Sequence, residues 1–331
     1  MAFYSYIFTA NYKRFFSKLK AVVKKEHRSF LGLVLDTGWC VFRHGLALSD
    51  YLNYEIYRRS AAERKQYVGV RLQNSFYEQV SPSAYKARYT EKPLFMQDFA
   101  AYTGRGFLAP QPENYEKFLA FLQNREVFMA KPYDGLGGKG VEKVYTKDIS
   151  DPRAYFDHCV QNRIFLEDLV IQHPEMNVLC AASVNTMRIM TFNDHGKPRI
   201  LWIGQRIGNG INAVDNFHAQ GMVCSVDMDT GCLKGNAVDK DNREFSHHPT
   251  TGVAFDGFRI PCFEEAKQLV LKAALESDKI LVVGWDVAIS EKGPVIIEGN
   301  RRPGFDIVQS LDGRGRMDLV EDVLNSLGKT V

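Results

Sequence analysis

The hydrophobic pattern changes character along the chain. Between His44 and Gln79, Leu46, Leu48, Tyr51, Leu52, Tyr54 and Tyr57 recur at helical spacing ahead of Arg58, Arg59, Glu63, Arg64 and Lys65, which predicts helices. Around Thr90 this gives way to short apolar runs alternating with helical stretches, the pattern of an α/β or α+β enzyme. The segment Val127 to Asp134, with Lys131 on its strand, and Val141 to Tyr145 read as the two arms of a hairpin around a glycine-rich loop. A second strand pair is predicted near the end. Ile280 to Ile289 is apolar except for Asp286, Glu291-Lys292-Gly293-Pro294 signals a turn, and Val295 to Asn300 follows. The longest apolar stretches, around Phe30 to Leu35 and Ile280 to Trp285, fall short of the roughly 18 residues a membrane span needs. Solenoid repeats and low-complexity tracts are absent.

Composition adds limits rather than a function. The 331 residues are 45% hydrophobic and 24% charged, which excludes a disordered or fibrous chain and suits one large domain or two closely joined ones. Lys and Arg total 42 against 39 Asp and Glu, a net +3 that gives no reason to expect nucleic acid as a partner. The six cysteines form no C-x-x-C pair, so neither a zinc cage nor a disulfide framework is expected, and a reducing cytoplasm is the natural setting. Cys224 and Cys232 flank the turn at Asp229 to Gly231, where they either face each other across a hairpin or remain free thiols. Met1 to Ala10 lacks a basic n-region, so no secretory signal is expected.

One segment is asymmetric in charge. Residues 1–30 carry Lys13, Arg14, Lys18, Lys20, Lys24, Lys25 and Arg28 against Glu26 alone, interleaved with Tyr4, Tyr6, Phe8, Tyr12, Phe15 and Phe16. Such a helix either lies on an anionic membrane surface or packs its aromatic face on the protein with its lysines in water.

Candidate chemistry lies at two places. The first is Gly135-Leu136-Gly137-Gly138-Lys139-Gly140, which follows Lys131-Pro132-Tyr133-Asp134. A Walker A loop is excluded, because Tyr133 stands where its first glycine belongs and Gly140 replaces the magnesium-binding hydroxyl. Gly135, Gly137 and Gly140 satisfy G-x-G-x-x-G, but the next element reads as a strand instead of the helix a dinucleotide fold requires. What remains is a hairpin loop whose backbone N–H groups can approach a triphosphate closely, with Lys131 on the preceding strand as a point charge.

The second place is acidic. Antiparallel strands would carry Asp286 on one and Glu298 with Asn300 on the other, the last two on one face because they are two apart. Oxygen ligands converging from paired strands suit Mg²⁺, which takes few protein ligands when phosphates supply the rest. Arg301 and Arg302 follow, and an arginine there can hold a carboxylate or phosphate in bidentate fashion.

With these motifs in order, the chain resembles an ATP-grasp enzyme of the sugar-transfer-associated branch related to glutamate ligases, from about residue 90 to the C-terminus. The resemblance implies an α+β ATP-grasp fold in which two lobes grip ATP. A helical N-terminal region (1–88) would precede an ATP-grasp domain (89–331), with a smaller lobe at about 120–170 and a larger one at about 171–331. It also implies roles for single residues. Lys92 and Lys131 would meet the nucleotide, with Gly135, Gly137, Gly138, Lys139 and Gly140 covering its phosphates. The backbone at Glu167, Asp168 and Leu169 would receive adenine, and Glu175 the ribose. Arg188, in Ser183 to Ile189, would lie beside the substrate, Arg206 and Asn216 near the reacting phosphoryl group, and Arg302 close by as a further catalytic arginine. Asp286, Glu298 and Asn300 carry over as Mg²⁺ ligands. Close relatives show paired glycines after the Asn-Phe segment, whereas here Gln220 precedes Gly221, a departure that bears on acceptor recognition rather than on ATP.

The implied reaction is ATP- and Mg²⁺-dependent joining of a carboxylate to an amine through an acyl phosphate, one partner being a saccharide or small molecule, in polysaccharide or sugar-conjugate modification. The setting implied is cytoplasmic, peripheral to the inner face of the membrane if residues 1–30 contact anionic lipid. His218 offers a base for the amine proton or is structural, and His247 and His248 read as loop residues. A small-molecule or sugar kinase on the same fold, and a noncatalytic nucleotide-binding scaffold of a membrane glycan pathway, are the alternatives.

Overall fold

A computed structural model describes residues 11–134, 140–211, 215, 217 and 220–330. Met1 to Ala10, Gly135 to Lys139, Asn216 and His218, all named above, lie outside them.

The N-terminal part is helical, as its pattern predicts. Helix α1 (Tyr12–Glu26) starts where Asn11 accepts from the Arg14 N–H and stops at His27, whose φ of 53° reverses the chain. Helix α2 (Phe30–His44) is capped by Ser29 and ended by Gly45 at φ 65°. The short α3 (Leu48–Asn53) and α4 (Val70–Val80) follow. Phe15 and Leu19 of α1, Leu33 and Cys40 of α2, and Tyr51, Tyr54, Ile56 and Tyr57 form one apolar cluster. The aromatic face of α1 is thus packed through Phe15, while Lys13, Lys20, Lys24 and Lys25 remain exposed and Lys18 pairs with Asp241 at 2.6 Å. Helical structure continues past the compositional change, through α5 (Lys92–Asp98) to a short helix at Ala100–Thr103.

Two antiparallel sheets carry the rest. The smaller is built from β1 (Phe107–Leu108), β2 (Val127–Pro132), β3 (Glu142–Tyr145) and β4 (Ile164–Asp168) in the order β1-β4-β2-β3. Helices α6 (Tyr115–Gln123) and α7 (Pro152–Gln161) cover one face through Phe118, Phe121 and Phe156, packed on Phe128 and Leu166. Strands β2 and β3 pair as the predicted hairpin, Val127 opposite Tyr145 and Ala130 opposite Glu142.

The six-residue α8 (Pro174–Leu179) leads to the larger sheet. Its strands are β5 (Thr186–Asp194), β6 (Lys197–Ile207), β7 (Met222–Val226), β8 (Leu233–Asp239), β9 (Glu244–Phe245), β10 (Val282–Ser290) and β11 (Gly293–Asn300), in the order β11-β10-β5-β6-β7-β8-β9. Alternation puts Met187 and Ile189 on one face and Met190 and Phe192 on the other. The first face packs on α9 (Phe263–Leu275), whose Glu264 and Glu265 complement its N-terminal dipole, and on α5. The second packs on α4, α10 (Phe305–Asp312) and α11 (Met317–Ser326). With both faces covered, β10 is apolar nearly throughout, and that makes the charge of Asp286 in it conspicuous. All six cysteines are free, Cys224 buried and Cys232 half-buried. Among the described residues no helix is long and apolar enough to cross a membrane.

Candidate functional site

On the larger sheet, β10 and β11 form the predicted hairpin and Asp286 stands opposite Glu298, with a bulge after Asp286. Asn300 shares the Glu298 face and its amide approaches Glu298 Oε1 at 3.4 Å. Asp286 faces Arg188 across β5, its cross-strand partner. The Asp286 carboxylate takes the Arg188 guanidinium through Nε and through Nη2 at 3.1 Å, and Arg206 Nη1 from β6 at 2.6 Å. Arg206 Nη2 reaches Asp215 at 3.0 Å, and Asp215 in turn accepts the Thr186 N–H at 2.8 Å.

Burial pushes the Asp286 carboxyl up, but Arg188 and Arg206 outweigh it and hold the group at about 2. Glu298 moves the other way. Although its side chain is open to solvent, crowding by protein raises it, and the Asp286 charge opposite adds to the rise. Asp215 is likewise raised by burial, against the pull of Arg206. Among the described residues, Arg206 Nε is buried without a hydrogen-bond partner.

On the smaller sheet, Lys131 of β2 is ion-paired with Glu167 of β4, whose other oxygen takes Arg105 Nη2 at 3.3 Å. Arg105 also donates to the carbonyls of Ile296 at 3.0 Å and Ile297 at 3.3 Å, tying β4 to β11 of the other sheet. Burial raises the Glu167 carboxyl, yet Arg105 and Lys131 leave it below its ordinary value. Lys92 joins the two groups. It opens α5, donates its N–H to the Tyr133 carbonyl at 3.0 Å, and feels Glu298, Lys131 and Glu167. Burial lowers its pKa, with the Lys131 charge adding to the shift.

A buried amide network holds the edge of the site. Asn185 donates to the Cys180 carbonyl at 2.7 Å and to Gln172 at 3.0 Å, and accepts the Gly208 N–H at 3.1 Å. Gly208 approaches so closely that a Cβ there would meet Ser183 Oγ at 2.1 Å. His248 lies in a loop, as its sequence context predicts, and is buried there: its Nε2 lies 2.8 Å from the Gly208 carbonyl and its Nδ1 faces the Thr250 and Thr251 N–H groups.

The residues singled out in the sequence therefore divide. Arg188, Arg206, Asp286, Glu298 and Asn300 stand together, and Lys92 and Lys131 meet Glu167. Arg302 instead pairs with Glu78 and approaches Ser83 at 3.3 Å, while Arg301 donates to the Ser81 carbonyl. Glu167 points its side chain at Lys131, and the Asp168 carboxylate takes Arg125 and the Gly106 N–H. Asp168 N–H is committed to the Gly106 carbonyl; Leu169 lies just past the strand. Glu175 is exposed on the first turn of α8, its N–H on His173 Nδ1 at 3.2 Å. Gly140 has φ 70°, and Gln220 has φ 72°, a left-handed backbone that glycine adopts most readily. Arg105 was not singled out, and Asn185 and Asp215 were given no role of their own, because a lone Arg, Asn or Asp carries no local signal.

The donor set of the acidic hairpin is two carboxylates and an amide. Among the described residues no group of three or more His, Cys, Asp or Glu side chains is placed to hold a metal ion unaided. Hard oxygen donors with places left for phosphate and water are the set that Mg²⁺ accepts.

Residues 107–325 match the family model for sugar-transfer-associated ATP-grasp proteins. A search of curated proteins gave no match. Similar solved structures include the ATP-grasp ligase PsnB complexed with minimal precursor (14% identity, TM-score 0.46, covering 75% of this chain and 64% of that one). Others are D-alanyl-alanine synthetase A from Vibrio cholerae (13%, TM-score 0.41, 75% and 68%) and the D-cycloserine synthetase DcsG (12%, TM-score 0.44, 84% and 82%). The chain thus spans less than two thirds of the length of PsnB.

Proposed function

The chain belongs to the family of sugar-transfer-associated ATP-grasp proteins, and from that premise we propose that it is an ATP- and Mg²⁺-dependent ligase joining a carboxylate to an amine. The observation that carries the reading is the meeting of charges from two sheets and α5: Lys131 and Lys92 on one side, and Asp286 and Glu298 with Arg188 and Arg206 on the other. Cations in such number beside two carboxylates fit a polyanionic ligand bound together with a divalent ion. In this reading residues 120–170 and 171–331 act as the two lobes, and 1–88 as a helical accessory region.

A substrate carboxylate oxygen bonds to the γ-phosphorus of ATP as the bond to the β,γ-bridging oxygen breaks and ADP leaves. The amine nitrogen then bonds to the acyl carbon, phosphate departs with the C–O electron pair, and the amine gives up a proton. Glu298 and Asn300, with Asp286 shared with its arginines, would hold Mg²⁺, which when bound offsets the repulsion between carboxylate and triphosphate. Lys131 and Lys92 would bind phosphate oxygens, Arg206 would face the transferring group through its uncommitted Nε, and Arg188 would position the acceptor carboxylate. The backbone from Glu167 to Leu169 would take adenine and Glu175 the ribose, with Gly135 to Gly140 covering the phosphates and Asn216 beside them. Arg302 would act only after release from Glu78. The family's association with sugar transfer favours a saccharide as carrier of the carboxylate or amine, in polysaccharide or sugar-conjugate modification, and six free thiols fit a reducing cytoplasm.

Hydroxylamine trapping tests the reaction. A panel of uronic acids and amino acids with ATP, Mg²⁺ and hydroxylamine should yield a hydroxamate with ADP and phosphate. Stable transfer of labelled phosphate to a sugar hydroxyl, with no hydroxamate from any carboxylate, would replace the ligase with a kinase. ATP binding with neither product would point to a scaffold.

A further inference from the structure

Helix α2 is apolar on both sides. Leu33, Thr37, Cys40 and Val41 face the protein, whereas Leu31, Leu35, Trp39 and Phe42 are 66%, 66%, 63% and 69% exposed. At about 100° per residue these four fall within roughly 80° of arc, so they form one stripe along the helix. Phe30 and Phe16, in ring contact at 6.2 Å and each more than a third exposed, extend it at the N-terminal end. Scattered exposed leucines need no explanation, but four large side chains in register form a contiguous patch.

The charges around the stripe indicate what covers it. Lys24, Lys25 and Arg28 are exposed on the last turn of α1 and the link into α2. Beyond Phe42, at the other end, opens a cavity of about 530 Å³ whose walls include Arg43, His44, Lys65, Arg71, Tyr67 and Ser75 and no acid. Arg71 fixes this cavity to the stripe by donating to the Phe42 and Arg43 carbonyls at 3.1 and 3.0 Å. Burial and the cations Arg43, Arg64, Lys65 and Arg71 lower the His44 pKa. Asp36, the single acid in α2, is held by Arg64 and Tyr51.

We propose that this face docks on an anionic lipid surface, with Leu31, Leu35, Trp39 and Phe42 sunk into the headgroup boundary and the Arg43–Lys65–Arg71 cavity receiving a lipid phosphate. An apolar stripe with cations at both ends is the signature of a helix lying in a membrane interface, and Trp favours that depth. The helix has 15 residues, about 22 Å, against a hydrocarbon core of about 30 Å, so it lies along the surface and does not cross. Of the two alternatives the sequence left for residues 1–30, packing of the aromatic face is what α1 does through Phe15 and Leu19; in this proposal the inserted element is 31–42, with α1 as its charged flank. The inference is independent of the ligase reading.

The full chain is mixed with vesicles of phosphatidylcholine alone or with about 30% phosphatidylserine, at about 0.1 M and about 0.5 M salt. Trp202 and Trp285 are buried, so a vesicle-induced emission change reports Trp39. Expected are a blue shift, quenching by brominated lipid, and co-sedimentation about tenfold higher on anionic vesicles, falling with salt. Arg43→Glu with Lys65→Glu, and separately Leu35→Glu with Trp39→Glu, should each lower binding at least about tenfold without altering the melting temperature. Trp39→Phe should still sediment while losing the emission change. Equal recovery on neutral and anionic vesicles, or anionic binding without Trp39 quenching, would overturn the proposal. Self-association through the stripe with no vesicle binding would overturn it in favour of a second copy of the chain.

Discussion

Replacing Glu167 by Gln removes the anion that the buried Arg105 and the half-buried Lys131 share. Glu167 is 4% exposed and lies between Lys131 and Arg105, and the Arg105 side chain is 3% exposed. Breaking a buried pair by deleting one partner costs about 3–5 kcal/mol. Gln keeps the volume and one acceptor, and the Lys131 side chain at 17% exposure can turn toward water, which places the expected loss near the lower bound, about 3 kcal/mol. At about 2.1 cal/mol/K per residue over 331 residues, that is roughly 4 °C in melting temperature. Because Glu167 titrates below its ordinary value when folded, its stabilisation is complete above the unfolded pKa of about 4.3 and lost as pH falls through the lower folded value. The difference between wild type and Glu167→Gln should therefore be flat from about pH 5 upward and shrink toward about pH 3. Urea unfolding of wild type, Glu167→Gln, Lys131→Met and the double variant measures the coupling, expected at about 1–3 kcal/mol. Additivity within about 0.5 kcal/mol, or an unchanged difference at about pH 3, would refute the view that Glu167 is the charge partner of Lys131.

Lys131→Ala should weaken ATP binding by at least about tenfold in calorimetry, since a phosphate-directed cation is lost; unchanged affinity would remove Lys131 from the nucleotide site. Glu298→Gln should lower turnover by about 100-fold or more while raising the melting temperature near neutral pH. The sign follows from the raised Glu298 pKa: the folded state is penalised above that value, and below the unfolded pKa of about 4.3 both states are protonated and the gain disappears. Thermal melts at about pH 7 and about pH 4 check it, and a gain persisting at the lower pH would contradict it.

Part of the site was legible because its signals are local. Asp286 stood out as a charge within an apolar strand, and the turn at Glu291 to Pro294 fixed a hairpin that sets Glu298 opposite it. Gly135 to Gly140 implied a turn between strands, and β2 and β3 pair accordingly. Arg302 shows the limit of such reading: proximity in sequence to Glu298 suggested a shared site, but its side chain turns to Glu78, more than 200 residues away. His248 was rightly read as a loop residue, but its burial was not legible, because its partner Gly208 is 40 residues away in sequence.

By itself the sequence determined the helical character of the N-terminal part, two strand pairs, the family, and the residues whose chemistry depends on a strand pair or a turn, because alternation and turn propensity act over a few residues. Tertiary structure alone decided which charges meet. Arg105 is tied to both sheets, Asp215 anchors Arg206 from a neighbouring segment, and Lys92 faces carboxylates contributed by β4 and β11. It also decided which apolar residues stay outside: α2 is apolar on two sides, and only its packing against α1 and α3 shows that Leu31, Leu35, Trp39 and Phe42 remain in water. The physical reason is the same in both cases, since long-range pairing and burial depend on where distant segments are brought together, and that is a property of the whole packed core.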